Sequence, residues 1–470
     1  MAEDPKVLLR GCGESSIFKS LIISSAYTWW QSLHIDLSLA TQRVYEIQRL
    51  FTGFLIIAIL IFFLIFRSRY AKIPIWSAMA FTSFLTVSMN LVSIDEIGSL
   101  IDLDVILFLI GMFSLVGMAE ESGLLDAISL WFISRFRTLR SLIIASSLVF
   151  GLLAAFAMND TVALMGPPIA YSISRVAGVD PGFMFLLLAF SLTIGSVMTP
   201  IGNPQNVLIA EGSEIPAPFI NFIYRLALPT IINLVLTPIV LMRLRGIKDK
   251  RRVIVVAIPE EVIRDRREAV LAATGLVITI TGLVINDVLQ LMSYPHIQKR
   301  GFIPFIVAAG IYIFSRDPRK TLSKVDWGTI VFFISMFITM EGVWRSGVLN
   351  PLLSTLAYSK HGDYRDIISI AAASIIISQV LSNVPFTKLF ITYMKHLGFT
   401  GEDINAWISL ATFSTIAGNL TPLGAASNII IMEVLETRYS RTITFKEFIT
   451  AGSVITILNS LIYLIFLAFF

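Results

Sequence analysis

Long apolar runs alternate with short polar loops along the whole chain. Apolar runs fall at 51–66, 73–93, 104–118, 183–210 and 219–242, and again at 268–290, 302–315, 328–344, 405–432 and 449–470. A hydrocarbon core of about 30 Å takes roughly 20 helical residues to cross, so each run predicts a transmembrane helix. Two further stretches, 139–176 and 366–397, are apolar but interrupted near the middle by polar residues. Backbone at lipid depth must be satisfied inside the protein. A polar break in mid-run therefore predicts a re-entrant hairpin, which enters and leaves on one side. The predicted fold class is all-α: a polytopic membrane protein of two inverted-topology repeats, five spans each, with re-entrant hairpins and broken helices.

Between the two sets lies one long charged segment, 243–268, RLRGIKDKRRVIVVAIPEEVIRDRRE. Basic residues collect in cytoplasmic loops, so Arg243, Arg245, Lys248, Lys250, Arg251 and Arg252 place this linker in the cytoplasm. That assignment orients the rest. Arg67, Arg69 and Lys72, then Arg135, Arg137 and Arg140, and later Arg316, Arg319, Lys320 and Lys324, fall inside. Asp95, Glu96, Asp102, Glu211 and Glu214 fall outside, with the C-terminus. Lys299–Arg300 and the loop from Arg345 to Arg365 run against this pattern. The predicted organisation is an N-terminal segment at 1–49, a first repeat at 50–242, the linker, and a second repeat at 269–470. Within 1–49, the short apolar stretch Ile17–Trp30 reads as an interfacial helix or an eleventh span, with the extra span slightly favoured. Residues 124–136 and their counterpart 348–358 read as interfacial amphipathic helices.

The halves repeat in sequence. At an offset of 224, Ile110, Met112, Phe113, Ser122, Gly123, Leu125 and Asn159 meet Ile334, Met336, Phe337, Ser346, Gly347, Leu349 and Asn383. At 222, Thr193, Thr199, Pro200, Gly202, Asn206 and Glu211 meet Thr415, Thr421, Pro422, Gly424, Asn428 and Glu433. An odd number of crossings per repeat inverts it, which is the architecture of alternating-access carriers.

Composition agrees with this class. Hydrophobic residues make up 56% and charged residues 14% of the chain, against about 25% charged in a soluble domain. The basic residues sit in short loops, which argues against a nucleic-acid partner. The lone cysteine, Cys12, excludes an intramolecular disulfide, a cysteine-based zinc site and a redox pair. His34, His296, His361 and His396 are scattered. No signal peptide is evident, and no HExxH, GxSxG or paired catalytic aspartates appear. The chain reads as a transporter without a cofactor, not an enzyme. A channel shares the topology but needs a continuous pore.

Four segments carry polar groups where lipid-depth backbone would be helical. They are Met158-Asn159-Asp160-Thr161, the run Thr199 to Asn206, Ser382-Asn383-Val384-Pro385, and the run Thr421 to Asn428. Pro200, Pro204 and Pro422 remove helix donors, and Gly202 and Gly424 permit left-handed backbone. The spans 183–210 and 405–432 should unwind there, lining a cavity. The hairpins predict half-helices at 161–176 and 384–397, whose N-termini suit an anion. Unwound carbonyls with Asn and Thr oxygens suit Na⁺. The candidate substrate and ion site is Asn159, Asp160, Thr161, Thr199, Gly202, Asn203, Asn206, Ser382, Asn383, Thr421, Gly424, Ser427 and Asn428. Na⁺ is expected at Asn159, Asp160 and Asn383. Two plainer readings stand beside these: Asp160 caps its half-helix, and Asn206 and Asn428 satisfy unwound backbone.

The segments NDTVALMGPPI (159–169), GSVMTPIGNPQNVLIA (195–210), SNVPF (382–386) and NLTPLGAASNIII (419–431) resemble the ion transporter superfamily. The likeness is to its citrate transporter-like members, the arsenite permease and NhaD-type antiporter group, with the divalent anion/sodium symporters more distant. It runs from about residue 50 to the end. In the symporters a Ser-Asn-Thr triplet at each hairpin tip binds carboxylate and Na⁺. Asn159 and Asn383 match its Asn and Ser382 its second Ser, whereas Met158, Asp160 and Val384 depart from it. The resemblance implies an ion-coupled secondary active transporter of a small anion, an oxyanion such as arsenite or a carboxylate. The alternative is a Na⁺/H⁺ antiporter of the NhaD type. It further implies a plasma-membrane homodimer in which a transport domain moves against a scaffold, with Na⁺ or H⁺ as coupling ion.

Overall fold

A computed structural model describes residues 24, 43–63, 74–247, 262–351, 360–422 and 424–469. Most of the segment 1–49, including Ile17–Trp30 apart from Ser24, lies outside the described residues. So do the middle of the linker, the loop of Arg67, Arg69 and Lys72, and most of 348–358. Every regular element among the described residues is helical. Helix α1, Arg43–Phe63, starts earlier than the run at 51 suggests. There follow α2 Ile75–Ser88, α3 Leu103–Glu121, α4 Leu124–Ile133, α5 Leu139–Ala157, α6 Asn159–Ala177, α7 Pro181–Ser196, α8 Pro204–Gly212 and α9 Pro218–Leu244. The second half holds α10 Arg266–Leu291, α11 Phe302–Phe314, α12 Trp327–Ser346, α13 Tyr364–Leu381, α14 Asn383–His396, α15 Ile404–Ile416, α16 Ala426–Tyr439 and α17 Phe445–Phe469. Short unlabelled turns at Ile97–Leu100 and Pro318–Ser323 precede α3 and α12. Among the described residues, eight helices are long and apolar enough to cross a membrane.

Helix order in the second half follows that of the first, α10 to α12 corresponding to α1 to α3 and α13 to α17 to α5 to α9. The packing is reciprocal: α2 lies on α12, and α11 lies on α3. One bundle comprises α2, α3, α10, α11 and α12. The paired helices α5–α6 and α13–α14 pack with α7, α8, α9, α15, α16 and α17 in another.

Without a strong hydrophobic drive between helices in lipid, small residues and buried hydroxyls hold such a bundle. The α5–α7 contact shows both. A Cβ on Gly195 would lie 2.0 Å from the Gly151 carbonyl oxygen, so the two backbones touch. One helical turn away, Ser191 Oγ donates to Ser147 Oγ (2.8 Å), which donates to the Leu234 carbonyl of α9 (2.8 Å).

The chain reverses between α5 and α6 at a single residue, Met158, with φ +63°. The α13–α14 reversal at Ser382 has φ +67°. Both residues pay a left-handed backbone cost, about 1 kcal/mol or more for a non-glycine, so tight tips are imposed by surrounding packing. The helices after the tips start at Asn159 and Asn383, two residues and one residue earlier than the half-helices expected at 161 and 384. Asp160 therefore lies inside the first turn of α6. The capping position belongs to Met158, and no side chain caps there, which corrects the reading of Asp160 as a helix cap.

Ion pairs between separate segments sort into two sets. Glu121 pairs with Lys320 and Lys324 (both 2.8 Å), Asp126 with Arg264 (3.6 Å), Asp180 with Arg441 (2.8 Å) and Arg245 with Glu447 (2.5 Å). The other set joins Glu96 to Arg345, Glu214 to Lys395 (2.7 Å), Asp287 to Arg300 (3.6 Å) and Lys360 to Asp403 (2.7 Å). Among the described residues, no pair joins a segment of one set to a segment of the other.

Candidate functional site

The two breaks in the long helices are built alike, position for position. Between α7 and α8, Asn206 Nδ2 donates to the Ser196 carbonyl (3.0 Å) and the Thr199 carbonyl (2.9 Å). Between α15 and α16, Asn428 Nδ2 donates to the Gly418 carbonyl (2.7 Å) and reaches that of Thr421 (3.4 Å). Ser196 and Gly418 hold equivalent places at the offset of 222, as do Thr199 and Thr421. Each asparagine thus replaces helix donors lost where the chain unwinds, worth several kcal/mol at lipid depth. The plainer reading of Asn206 and Asn428 is therefore correct for their amide nitrogens.

The breaks are also clamped to the hairpins. Thr199 Oγ1 donates to the Ala155 carbonyl of α5, and Thr421 Oγ1 to Gln379 Oε1 of α13 (2.9 Å). The Asn159 backbone N–H donates to the Gly202 carbonyl (2.9 Å). Gly202 is required sterically, because a Cβ there would sit 2.2 Å from the Ser196 carbonyl oxygen. Gly424 is also tightly placed, its Cβ position 3.0 Å from Gly418 Cα. Asn203 caps α8, accepting from the Asn206 N–H (2.9 Å), and its Nδ2 reaches Thr415 Oγ1 of α15 (3.2 Å). This bond ties the first break to the second half.

One cavity of about 290 Å³ opens onto this assembly. Asn159, Asp160 and Thr161 of one tip and Ser382 and Asn383 of the other line it together. So do Pro204 and Gln205 at the start of α8 and Ala426 at the start of α16. Four helix N-termini therefore surround one space. Thr199, Gly202, Asn203, Asn206, Thr421, Gly424, Ser427 and Asn428 do not line it. Among the described residues, the buried side-chain oxygens Asn159 Oδ1, Asn206 Oδ1, Asn383 Oδ1 and Asn428 Oδ1 accept no hydrogen bond, nor does Ser427 Oγ have a partner. An unpaired buried acceptor costs about 1–3 kcal/mol. No hydrogen bond or ion pair ties the Asp160 carboxylate to another side chain among the described residues.

Several lining residues escaped the sequence reading. Asp326 caps α12, accepting from the Thr329 N–H (3.0 Å) and hydroxyl (2.6 Å), and borders the cavity with Glu120 and Lys324. An aspartate just before an apolar run is a legible cap signal, but nothing local says that it faces the tips. Lys388 does not line this cavity; its ammonium lies 5.0 Å from the Phe337 ring centroid. Arg225 is part-buried and bonds Asn405 Oδ1 of α15 (2.8 Å). Glu341 pairs with Arg345 one turn on (2.7 Å), as their spacing predicts.

Paired helical tips and interrupted helices meeting at one cavity with polar groups at its helix starts, within a bundle of membrane-length helices, define a membrane transporter. The crystal structure of the YdaH transporter of Alcanivorax borkumensis shares the fold, with a TM-score of 0.52 at 13% identity over 77% of this chain and 84% of that one. The citrate transporter (CitMHS) pattern matches residues 59–409, and the chain belongs to that family. An uncharacterised transporter of Mycobacterium tuberculosis is 28% identical over 379 residues, covering 78% of this chain and 86% of the relative. The silicon efflux transporter LSI3 of Oryza sativa subsp. japonica is 24% identical over 431 residues, covering 78% and 87%. The inner membrane protein YbiR of Escherichia coli is 28% identical over 298 residues, 63% of this chain and 72% of that protein. The chain is a multi-pass membrane transporter and not an enzyme.

Proposed function

We propose that the protein is an ion-coupled secondary active transporter of a small anion, an oxyanion or a carboxylate, working by alternating access. The observation that carries this reading is the convergence of both tips and four helix N-termini on one cavity. Helix N-termini supply partial positive charge and free N–H groups to an anion. Asn159, Asp160 and Asn383 supply the oxygens for Na⁺ beside it. An anion and its cation in one cavity offset each other's charge, which couples their binding.

The two sets of ion pairs support an inverted repeat. With the linker cytoplasmic, the set containing Lys320, Lys324, Arg264 and Arg441 falls inside, and the set containing Glu96, Glu214, Asp287 and Lys360 falls outside. The cavity, bordered by Lys324 and Asp326, then faces the cytoplasm. In the opposite-facing state the repeat would place Phe337, Glu341 and Lys388 where their counterparts Phe113, Gly117 and Leu164 line the present cavity. Cysteines introduced at Arg319 and at Glu402 should label with an impermeant maleimide from opposite sides of sealed vesicles. Labelling of both from one side would remove the inverted repeat.

The chemistry is tested with Asn159→Ala and Asn383→Ala in proteoliposomes, with citrate and arsenite as probes under an imposed Na⁺ gradient. Loss of one hydrogen bond to a charged ligand, about 1.5–3 kcal/mol, lowers uptake roughly tenfold to a hundredfold for each variant. Wild-type uptake in both variants would sink the assignment of the tips. A Na⁺/H⁺ antiporter is the second reading, favoured by the Asp160 carboxylate standing in the cavity without a cationic side-chain partner. Sodium-driven proton movement with no anion present would select it.

A further inference from the structure

Helix α4 stands apart from the cavity and has two unlike sides. Leu125, Ser129 and Ile133, at steps of four, are buried where the helix packs on α3, α5 and α10. Leu124, Ile128, Trp131 and Arg135, at steps of four, three and four, form a row on the opposite side. Ile128 is 45% and Trp131 50% exposed, so the row is an apolar strip with nothing of this chain over it.

The strip ends in positive charge. The Arg135 guanidinium lies over the Trp131 ring, 3.8 Å from its centroid. Arg137 and Arg140 follow within five residues, one in the turn after α4 and one in the first turn of α5, and both are exposed. Among the described residues, none of these three arginines forms an ion pair. Carboxylates on the neighbouring turns are already taken: Asp126 by Arg264 (3.6 Å), and Glu121 by Lys320 and Lys324 (both 2.8 Å). Three positive charges therefore stand at the end of an apolar row without a counter-charge from the protein.

A free anion would match the charges and leave the row bare. An apolar helix would cover the row and leave the charges unmatched. An amphiphile with an anionic head and an apolar chain answers both, and the bilayer supplies it. Tryptophan collects at the level of lipid headgroups, and guanidinium is the side chain suited to two-point bonding of phosphate. Stacked on Trp131, Arg135 loses little further freedom in making such a bond.

We propose that α4 and the turn after it form a binding site for an anionic phospholipid. Arg135, Arg137 and Arg140 hold the phosphate, and an acyl chain lies along Ile128 and Trp131. On the topology proposed above the lipid belongs to the cytoplasmic leaflet; the site itself does not depend on that topology or on the carrier reading.

Native mass spectrometry of the purified full-length protein, delipidated in detergent, tests the site without any substrate. Dioleoyl phosphatidylglycerol and dioleoyl phosphatidylcholine serve as probes that share acyl chains and differ in charge. The wild type should prefer phosphatidylglycerol, and added salt should erode the preference, because exposed charges are screened. Each arginine near the surface contributes roughly fivefold, so the combined Arg135→Gln, Arg137→Gln and Arg140→Gln variant should lose most of the preference. Trp131→Ala should weaken both lipids, because it removes apolar surface and no charge. Equal affinity for the two lipids in the wild type overturns the proposal, and that comparison decides the matter should the combined variant not fold. Wild-type preference in the combined variant overturns it too. Displacement of phosphatidylglycerol by millimolar inorganic phosphate would mark a free-anion site instead, and a doubled mass with neither lipid bound would mark a second copy of the chain. Failure of the tip variants to alter uptake would sink the carrier reading and leave this result standing.

Discussion

Gly202→Ala is expected to yield little folded protein and no transport. The added Cβ would sit 2.2 Å from the Ser196 carbonyl oxygen and 2.8 Å from Ser196 Cα. These are backbone atoms, so no side-chain rotation relieves the clash. Overpacking of this kind costs about 1–3 kcal/mol. Any backbone shift also pulls the Gly202 carbonyl from the Asn159 N–H and the Ser196 and Thr199 carbonyls from Asn206. Each lost buried bond adds about 1–3 kcal/mol, and a total of about 4 kcal/mol places the variant in the rare severe class. Gly310→Ala in α11 is the matched control, because nothing lies within 4 Å of its added Cβ. That variant should be neutral or stabilised by up to about 1 kcal/mol, as alanine is in a helix. Thermal unfolding of both in detergent decides the matter; equal midpoints would show that the break between α7 and α8 has slack that the geometry denies.

Asp160→Asn is expected to fold normally and to lose its response to an imposed Na⁺ gradient. The substitution keeps shape and removes charge. Asp160 is not the cap of α6, and no described side chain pairs with it, so stability should change by less than about 1 kcal/mol. Removing a charged ligand oxygen beside Asn159 and Asn383 should weaken Na⁺ binding about a hundredfold, from a loss near 3 kcal/mol. Citrate and arsenite uptake in proteoliposomes, with and without the gradient, reads this directly. Gradient-driven uptake equal to wild type would leave Asp160 a role in the first turn of α6 and nothing more.

Much of the architecture is legible in the chain because a bilayer imposes a simple rule. Length and apolarity locate the spans, and runs such as 219–242 and 268–290 reappear as α9 and α10 with ends shifted by a few residues. Polar residues, proline and glycine inside an apolar run mark where helix must break, and the breaks between α7 and α8 and between α15 and α16 overlap the marked runs 199–206 and 421–428. The repeated Thr-Pro-x-Gly-x-x-x-Asn holds its meaning in three dimensions: Asn206 and Asn428 bond equivalent carbonyls.

Other features needed the fold. Nothing local separates Asn159 and Asn383, which line the cavity, from Asn206 and Asn428, which do not, since all four are buried asparagines at breaks in apolar runs. Helix starts at Asn159 and Asn383 depend on whether Met158 and Ser382 take positive φ, and that is settled by packing around each tip. Asp326, Glu120 and Lys324 join the site through the reciprocal docking of α2 on α12 and of α11 on α3. Asp104 and Gly301, 197 residues apart, bond to each other because α11 docks on α3. Hydrophobic length and backbone chemistry are properties of a segment, so the sequence by itself determined the helices, their breaks and their pairing into halves. Proximity between distant segments depends on how those helices pack, so the tertiary structure alone decided which polar groups share a cavity.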